Sequence, residues 1–181
     1  GERAARMTRQ GVAAIGVRVR LSGDGELLAR SNHVFEGYWE QAGESAEALA
    51  DGWLHTGDGA RIDDDAHVTI TDRRKDVIVS GGENVSSIEV EDHLRAHPAV
   101  LDCAVIGVPD ARWGEAVLAI VTLRDGGAAD QAALIAHCRG RMAGFKVPRR
   151  VEIRDTLPRT ATGKVQKFVL RAPYWEGSAG S

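Results

Sequence analysis

The sequence has little cysteine, no excess of positive charge and no long apolar run. Its two cysteines, Cys103 and Cys138, are far apart and form no Cys-x-x-Cys pair, so neither a zinc site nor a disulfide framework is indicated. A net charge of -3 does not suggest a nucleic-acid-binding surface. No apolar stretch reaches the length of a membrane span, and no signal peptide is visible. We therefore expect a cytoplasmic protein with no transmembrane segment.

The first part of the chain has the pattern of a strand-rich unit. Residues 16–21 alternate apolar and basic side chains, which predicts a half-buried strand. Residues 22–25 have the chemistry of a hairpin turn, and residues 26–30 return as a second strand. A helical turn or two is expected within residues 45–49. Residues 1–14 begin without a clear strand or helix signal, which hints that something precedes this sequence.

Residues 71–91 combine four signals in a fixed order. Five consecutive charged residues lead into a short β-branched strand at Val77-Ile78-Val79. The pair Gly81-Gly82 then allows a sharp turn or a close approach to a ligand. Ser86 and Glu89 have the spacing of a capping box, which opens a helix. The order is a charged joint, a strand, a glycine loop and a helix start.

Beyond the joint the pattern mixes helices and strands. The helix opened at Ser86 should end near Pro98, because proline disfavours helix at the preceding residue. Asp130 can cap a helix whose apolar stripe runs from Leu134 to Met142. The other predicted elements are a central strand at 100–108, a strand covered on both faces at 115–123, a short strand at 151–153 and a last helix at 164–171.

Two further strings contain residues suited to nucleotide chemistry. Asp58 ends Trp53-Leu54-His55-Thr56-Gly57-Asp58, and a carboxylate on a glycine-supported loop can accept two hydrogen bonds from a ribose diol or can simply form a turn. Lys164 follows Thr162-Gly163 in a polar segment near the C-terminus. A long-stemmed ammonium there can touch both a carboxylate and a phosphate, although a surface lysine is the ordinary alternative. Lys167 competes for this role but falls inside the predicted helix.

Taken together, these strings resemble the adenylate-forming enzymes, the superfamily of acyl-CoA synthetases, luciferases and peptide-synthetase adenylation domains. The resemblance implies an α+β fold. Residues 1–74 would be the distal, strand-rich part of the large N-terminal adenylating domain. Residues 75–176 would be the small C-terminal lid domain, an antiparallel sheet with flanking helices, and residues 177–181 a flexible tail.

The resemblance also implies a role for each motif. Lys164 matches the family's catalytic lysine, and Lys75 matches the hinge residue between the two domains. Asp58 matches the aspartate that holds the ATP ribose, and Arg73 matches an arginine placed against the ribose or phosphate. The thiol-entrance loop would consist of Ser80, Gly81, Gly82 and Glu83.

Three weaker assignments remain open at this level. The cations Lys146, Arg149 and Arg150 lie near a proline and could bind the phosphates of coenzyme A or form an ordinary exposed turn. Asp76 could take part in the joint or only pair with a nearby cation. Trp113-Gly114-Glu115 is common in the family and could do no more than shape a sheet edge. No metal ligand is predicted.

Some family motifs have no counterpart in this sequence. Nothing matches the phosphate loop or the Tyr-Gly-x-Thr-Glu-like string that contacts adenine and magnesium. We therefore expect the distal piece of an ATP-dependent carboxylate–CoA ligase that uses ATP, coenzyme A and Mg²⁺ on a fatty or other small carboxylic acid. Such a piece would need the missing N-terminal domain, would be inactive alone and would hold no cofactor tightly. The alternatives are a non-catalytic module that binds a nucleotide, coenzyme A or a partner, and the adenylation domain of another adenylate-forming enzyme.

Overall fold

The computed structural model describes residues 11–176, so the predicted flexible tail at 177–181 lies outside the described residues. The chain divides into two compact units, which meet in sequence between Lys75 and Asp76. We call them the N-terminal unit and the C-terminal unit. Each is organised around its own five-stranded sheet.

Within residues 11–75, the N-terminal unit is an antiparallel sheet with one short α-helix. Its strands are β1 (Gly11–Val12), β2 (Arg18–Leu21), β3 (Glu26–Arg30), β4 (Leu54–Ile62) and β5 (His67–Arg73). They lie in the order β1-β5-β4-β3-β2. Helix α1 (Ala42–Ala48) and a single 3-10 turn (Ala50–Gly52) connect β3 to β4.

The predicted hairpin in this unit is confirmed. Strands β2 and β3 pair antiparallel, with Leu21 opposite Leu27. The Ser22 and Glu26 backbones close the turn, because the Ser22 N–H donates to the Glu26 carbonyl at 2.9 Å. The buried apolar residues of this unit are Leu28, Ala60 and Val68.

Between residues 76 and 176, the C-terminal unit adds three α-helices to its sheet. Its strands are β6 (Ile78–Ser80), β7 (Glu83–Val85), β8 (Val100–Asp110), β9 (Gly114–Leu123) and β10 (Arg150–Ile153). Its helices are α2 (Ser87–Arg95), α3 (Gln131–Arg139) and α4 (Lys167–Trp175), with a 3-10 turn at Gly144–Lys146. All described strand pairs are antiparallel except β9 with β10, which are parallel because the chain returns through α3.

Strand β9 organises the C-terminal core. It pairs with β8 along its whole length on one edge and with β10 and β6 on the other. Val117 and Val121 point to the face covered by α2 and α3, whereas Leu118 and Ile120 point to the face covered by α4. The predicted strand covered on both faces is therefore confirmed. The prediction that residues 100–108 form the central strand is wrong, since β8 pairs within the described sheet only with β9.

Both predicted helix caps are present. The Ser86 hydroxyl accepts the Glu89 N–H at 3.2 Å, and the Asp130 carboxylate accepts the Ala133 N–H at 2.7 Å. Each bond satisfies one of the backbone donors that a helix start leaves unpaired. The predicted last helix begins later than expected, at Lys167, because a β-bridge between Arg159 and Val165 folds the preceding residues into a hairpin. Within residues 11–176, no helix combines the length and apolar character needed to cross a bilayer.

Candidate functional site

The structure brings the two predicted nucleotide residues together in the N-terminal unit. Asp58 lies within β4 rather than on a loop, which corrects the sequence expectation, and it stands directly opposite Arg73 at the end of β5. The Arg73 Nε lies 3.3 Å from Asp58 Oδ1. Asp58 is an acceptor suited to a diol, and Arg73 is a forked donor suited to a phosphate. The two side chains therefore lie side by side on neighbouring strands.

A buried glutamate, which the sequence analysis missed, supports the segment around Asp58. Glu26 accepts the Gly57 N–H at 2.8 Å, and its other oxygen lies 3.0 Å from His55 Nδ1 and 2.9 Å from the Arg74 guanidinium. Burial acts to raise the pKa of Glu26, but these three partners outweigh it and hold the pKa below its usual value. The one sequence signal was a glutamate at an inward-facing position of an alternating strand.

Lys75 lies between two residues whose side chains bind different units of the chain. It occupies the middle of a single 3-10 turn, Arg74–Asp76. On one side, Arg74 is ion-paired with Asp24 at 2.6 Å and with Glu26. On the other side, Asp76 accepts a bond of 3.0 Å from Arg171 of α4. Asp76 thus does pair with a nearby cation, and the residues that flank Lys75 are each fixed within their own unit.

The predicted glycine loop is a tight hairpin turn between β6 and β7. Ser80 pairs with Glu83, and the two residues between them, Gly81 and Gly82, have φ of 63° and 84°. Two consecutive positive φ values define the type of turn in which glycine is strongly favoured. A Cβ at Gly81 would stand 2.7 Å from the ring of Trp113, so glycine is also required there by space.

Two arginines lie over the ring of Trp113 beside this turn. The guanidinium carbons of Arg112 and Arg149 lie 4.6 Å and 4.7 Å from the centre of its ring. The Trp113 carbonyl accepts the Gly81 N–H at 2.8 Å, and Glu115 accepts the Val79 N–H at 3.3 Å. The Trp113-Gly114-Glu115 string therefore does shape the sheet edge, and it also fixes the position of the glycine turn.

The three predicted phosphate-binding cations have different partners. Lys146 donates to both carboxylate oxygens of Glu89, at 2.7 Å and 2.8 Å. Arg150 pairs with Glu152 and lies 5.4 Å from the ring centre of Tyr174. With Arg149 stacked on the tryptophan, each cation already has a contact within the C-terminal unit.

Lys164 and Lys167 differ sharply in environment. Lys164 is exposed on the hairpin of residues 159–165, which we call the lysine hairpin, and its ammonium has no partner among residues 11–176. The side chain of Lys167 is only 15% exposed and lies 2.7 Å from the buried carboxylate of Glu91. Lys167 also donates to the Ser87 hydroxyl at 2.6 Å. Of these two ammonium groups, that of Lys164 is the one open to direct contact with a ligand.

The lysine hairpin is internally well bonded. The Thr160 N–H donates to the Lys164 carbonyl at 2.8 Å, and the Lys164 N–H donates back to the Thr160 hydroxyl at 3.1 Å. Gly163 has φ of 85° and donates its N–H to the Thr160 carbonyl at 2.9 Å. A glycine at this position avoids the strain that a side chain would meet at positive φ. The loop therefore presents Lys164 from a defined backbone conformation.

Comparison with known proteins shows which family of enzymes the chain resembles. Residues 89–164 match the AMP-binding enzyme C-terminal domain. A feruloyl-CoA synthase of Amycolatopsis is 44% identical over 174 residues, which are 91% of this chain and 35% of that protein. The ATP-bound structure of MatB from Rhodopseudomonas palustris has a TM-score of 0.87 and 37% identity, covering 92% of this chain and 36% of the other.

This chain is similar to the C-terminal portion of adenylate-forming, AMP-binding enzymes. It spans about a third of the length of the curated relatives that it matches. The amide bond synthetase McbA from Marinactinospora thermotolerans also shares the fold, with a TM-score of 0.88, 37% identity, and coverage of 96% of this chain and 38% of the other. The α+β fold that the resemblance implied, with antiparallel sheets and flanking helices, is confirmed.

One further group of potential ligands was not foreseen. Asp63, Asp65 and His67 place one ligand atom each within 4.8 Å of one another at the turn between β4 and β5. The Asp63 carboxylate, however, accepts the N–H groups of Asp65 at 3.0 Å and His67 at 2.9 Å. That is the bonding of an aspartate that stabilises a tight turn.

Proposed function

We propose that this chain is the distal part of an ATP-dependent carboxylate–CoA ligase, which forms an acyl-AMP and then an acyl-CoA. The observation that carries the proposal is Lys164, an exposed and unpaired ammonium on an ordered hairpin, at the last residue of the segment that matches the AMP-binding enzyme C-terminal domain. The names of the relatives support the class of reaction, since they include a CoA synthase. The chain would act together with a large N-terminal adenylating domain.

Lys164 has the charge and reach that the first step requires. An anionic carboxylate attacks the α-phosphate of ATP, and the transition state spreads negative charge over the phosphate oxygens. A compact ammonium on a flexible stem can contact the carboxylate and the phosphate together, and it relieves their repulsion. We assign Lys164 this role, whereas Lys167 serves the packing of α4 through Glu91.

Asp58 and Arg73 would bind the nucleotide. The Asp58 carboxylate suits the two hydroxyls of the ribose, and the forked guanidinium of Arg73 suits a ribose or phosphate oxygen. Their existing contact at 3.3 Å supports a shared role, because Arg73 keeps the carboxylate oriented before the nucleotide arrives. Mg²⁺ enters the proposal as the companion of the ATP phosphates.

Lys75 and the glycine turn would serve the second step. Anchors on either side of Lys75 leave the 3-10 turn as the place where the backbone can rotate between the half-reactions. The turn formed by Ser80, Gly81, Gly82 and Glu83 would then face the thiol of coenzyme A. The phosphates of coenzyme A would bind Lys146, Arg149 and Arg150. To do so, Lys146 would have to release Glu89.

The carboxylic acid and the location of the enzyme are also proposals. A fatty or other small carboxylic acid fits the motif pattern of the acyl-CoA synthetases, and a cytoplasmic enzyme of fatty-acid metabolism is the simplest setting. The match to an amide bond synthetase favours a second candidate, in which the acyl-AMP is transferred to an amine instead of a thiol. The first half-reaction is the same in both cases.

Two assays test the proposal. In the complete enzyme that carries this chain, we expect carboxylate-dependent exchange of pyrophosphate into ATP and, with coenzyme A, formation of a thioester. An amide in place of the thioester would favour the second candidate. The 181-residue chain alone should give no exchange above background, because it lacks the phosphate loop. Exchange by the chain alone, or none by the complete enzyme with a panel of carboxylic acids, would contradict the proposal.

A further inference from the structure

The lysine hairpin is joined to the sheet of the C-terminal unit through one arginine. Arg159 donates from one terminal nitrogen to the Gly163 carbonyl at 2.7 Å, inside the hairpin. Its other terminal nitrogen bonds the carboxylate of Asp102, which lies on β8 and is 57 residues away in sequence. One guanidinium therefore holds both the tip of the hairpin and the neighbouring strand.

We propose that Arg159 is a positioning residue for Lys164 and that Asp102 is its anchor on the sheet. This inference rests on the proposed function of Lys164. The internal hydrogen bonds of the lysine hairpin set its shape, but they run between residues of the hairpin itself and do not fix where the tip points. The bond from Arg159 to Asp102 leaves the hairpin and fixes that direction relative to β8.

Asp102 is itself held from two sides. Its Oδ1 accepts the Cys103 N–H at 2.8 Å and lies 3.3 Å from Nε of Arg95 on α2. Its Oδ2 is left for Arg159. The carboxylate is only 22% exposed, so its orientation is determined by these bonds more than by solvent. An anchor of this kind gives the hairpin a fixed reference.

The anchor continues as a chain of alternating charges. Arg95 also reaches Glu91 at 3.2 Å, and Glu91 bonds Lys167 at 2.7 Å. Glu91 further accepts the Val105 N–H of β8 at 2.9 Å. The sequence of contacts Arg159–Asp102–Arg95–Glu91–Lys167 thus links the loop that presents Lys164 to the helix that follows it.

The guanidinium geometry explains why arginine is suited to this position. Its terminal nitrogens are fixed in one plane, so a single side chain can donate to a carbonyl and to a carboxylate in two set directions. A lysine at the same position would keep the ion pair with Asp102 but would offer one nitrogen for both acceptors. We therefore expect Arg159→Lys to retain part of the positioning.

The experiment compares Arg159→Ala, Arg159→Lys and a matched control, Arg141→Ala, in the complete enzyme. Arg141 is exposed and also donates to a backbone carbonyl at 2.7 Å, but that carbonyl belongs to His137 of α3 and not to the lysine hairpin. Lys164→Ala is measured in parallel. Single-turnover rates are recorded for acyl-AMP formation and, from pre-made acyl-AMP, for thioester formation.

We expect Arg159→Ala to slow acyl-AMP formation about tenfold, the scale of a modest displacement of a reacting group. Thioester formation should stay within about twofold of the parent, Arg159→Lys should be intermediate, and Arg141→Ala should match the parent. In the 181-residue chain, peptides that span residues 159–165 should exchange their amide hydrogens faster in Arg159→Ala.

Two results would overturn the inference while leaving the proposed function intact. One is an Arg159→Ala enzyme that forms acyl-AMP at the parent rate while Lys164→Ala does not. The other is an equal loss in both half-reactions with a lowered melting temperature, which would make Arg159 a residue of general stability. If Lys164→Ala itself adenylates at the parent rate, both the proposed function and this inference are wrong.

Discussion

Lys164 and Lys167 are three residues apart, carry the same side chain and have opposite environments. The ammonium of Lys164 is exposed on a hairpin, whereas that of Lys167 is enclosed by Glu91 and Ser87. A lysine that must meet a changing ligand needs an unpaired ammonium, and a lysine that stabilises packing needs a fixed partner. The comparison teaches that burial and pairing, and not residue type, separate a candidate catalytic lysine from a structural one.

The largest expected effect is that of Lys164→Ala, which should reduce activity and leave the fold intact. Losing one electrostatic stabiliser of a transition state costs on the order of 10²-fold in rate, so acyl-AMP formation should fall by at least that factor. From pre-made acyl-AMP the variant should make acyl-CoA at close to the parent rate, because the proposed function assigns that step to the glycine turn and not to the ammonium. Single-turnover kinetics of each half-reaction measures the split.

Stability supplies the control for this prediction. The ammonium of Lys164 has no partner within residues 11–176, so Lys164→Ala should change the unfolding free energy by less than about 0.5 kcal/mol. A joint collapse of both half-reactions, or a clear loss of stability, would mean that Lys164 supports the fold instead of the first step.

The next effect belongs to Lys167→Ala and concerns stability. Removing the ammonium leaves the carboxylate of Glu91 buried with one partner fewer, which costs about 2 kcal/mol. The retained bonds to Arg95 and the Val105 N–H keep the loss below that of a fully orphaned charge. Urea unfolding of the 181-residue chain measures the effect, with Lys164→Ala as the exposed-lysine control. Equal stability of the two variants would contradict the assignment of Lys167 as the structural lysine.

Local signals in the sequence predicted much of this fold. Ser86 and Asp130 cap helices because their partners lie three residues away, and the alternation in β9 reflects its two covered faces. The same locality led to the choice of Lys164, since Lys167 was already expected inside the last helix. The start of that helix was misplaced because the bridge between Arg159 and Val165 does not appear in the apolar pattern.

Ion pairs between residues distant in sequence could not be predicted. Arg159 meets Asp102 across 57 residues, and Arg171 meets Asp76 across 95 residues. A charged residue in a polar segment gives no sign of which opposite charge it will find. The parallel pairing of β10 was missed for the same reason, because its register depends on where α3 returns the chain.

The smallest expected effect is on the pH dependence of stability. It concerns the charged network that links the lysine hairpin to Lys167. Burial acts to raise the pKa of Asp102, but the Cys103 N–H, Arg159 and Arg95 outweigh it and hold the pKa below its ordinary value of 3.8. A carboxyl whose pKa is lower in the folded state stabilises that state fully above the unfolded pKa. The contribution is lost as the pH falls through the folded pKa.

The parent chain should therefore lose more stability than Asp102→Asn when the pH is lowered from about 5 to below 3.8. Other acidic groups titrate over the same pH range. The quantity to compare is therefore the difference in stability loss between the parent and Asp102→Asn. Asp92→Asn is the control, because Asp92 also contacts Arg95, at 3.4 Å, but is 68% exposed. It should keep the acid sensitivity of the parent, as melting temperatures across this range would record. If Asp102→Asn shows the same acid sensitivity as the parent, Asp102 is not a charged anchor. The lysine hairpin would then be held by its internal bonds and by the packing of Val165, and the different environments of Lys164 and Lys167 would not be linked through this network.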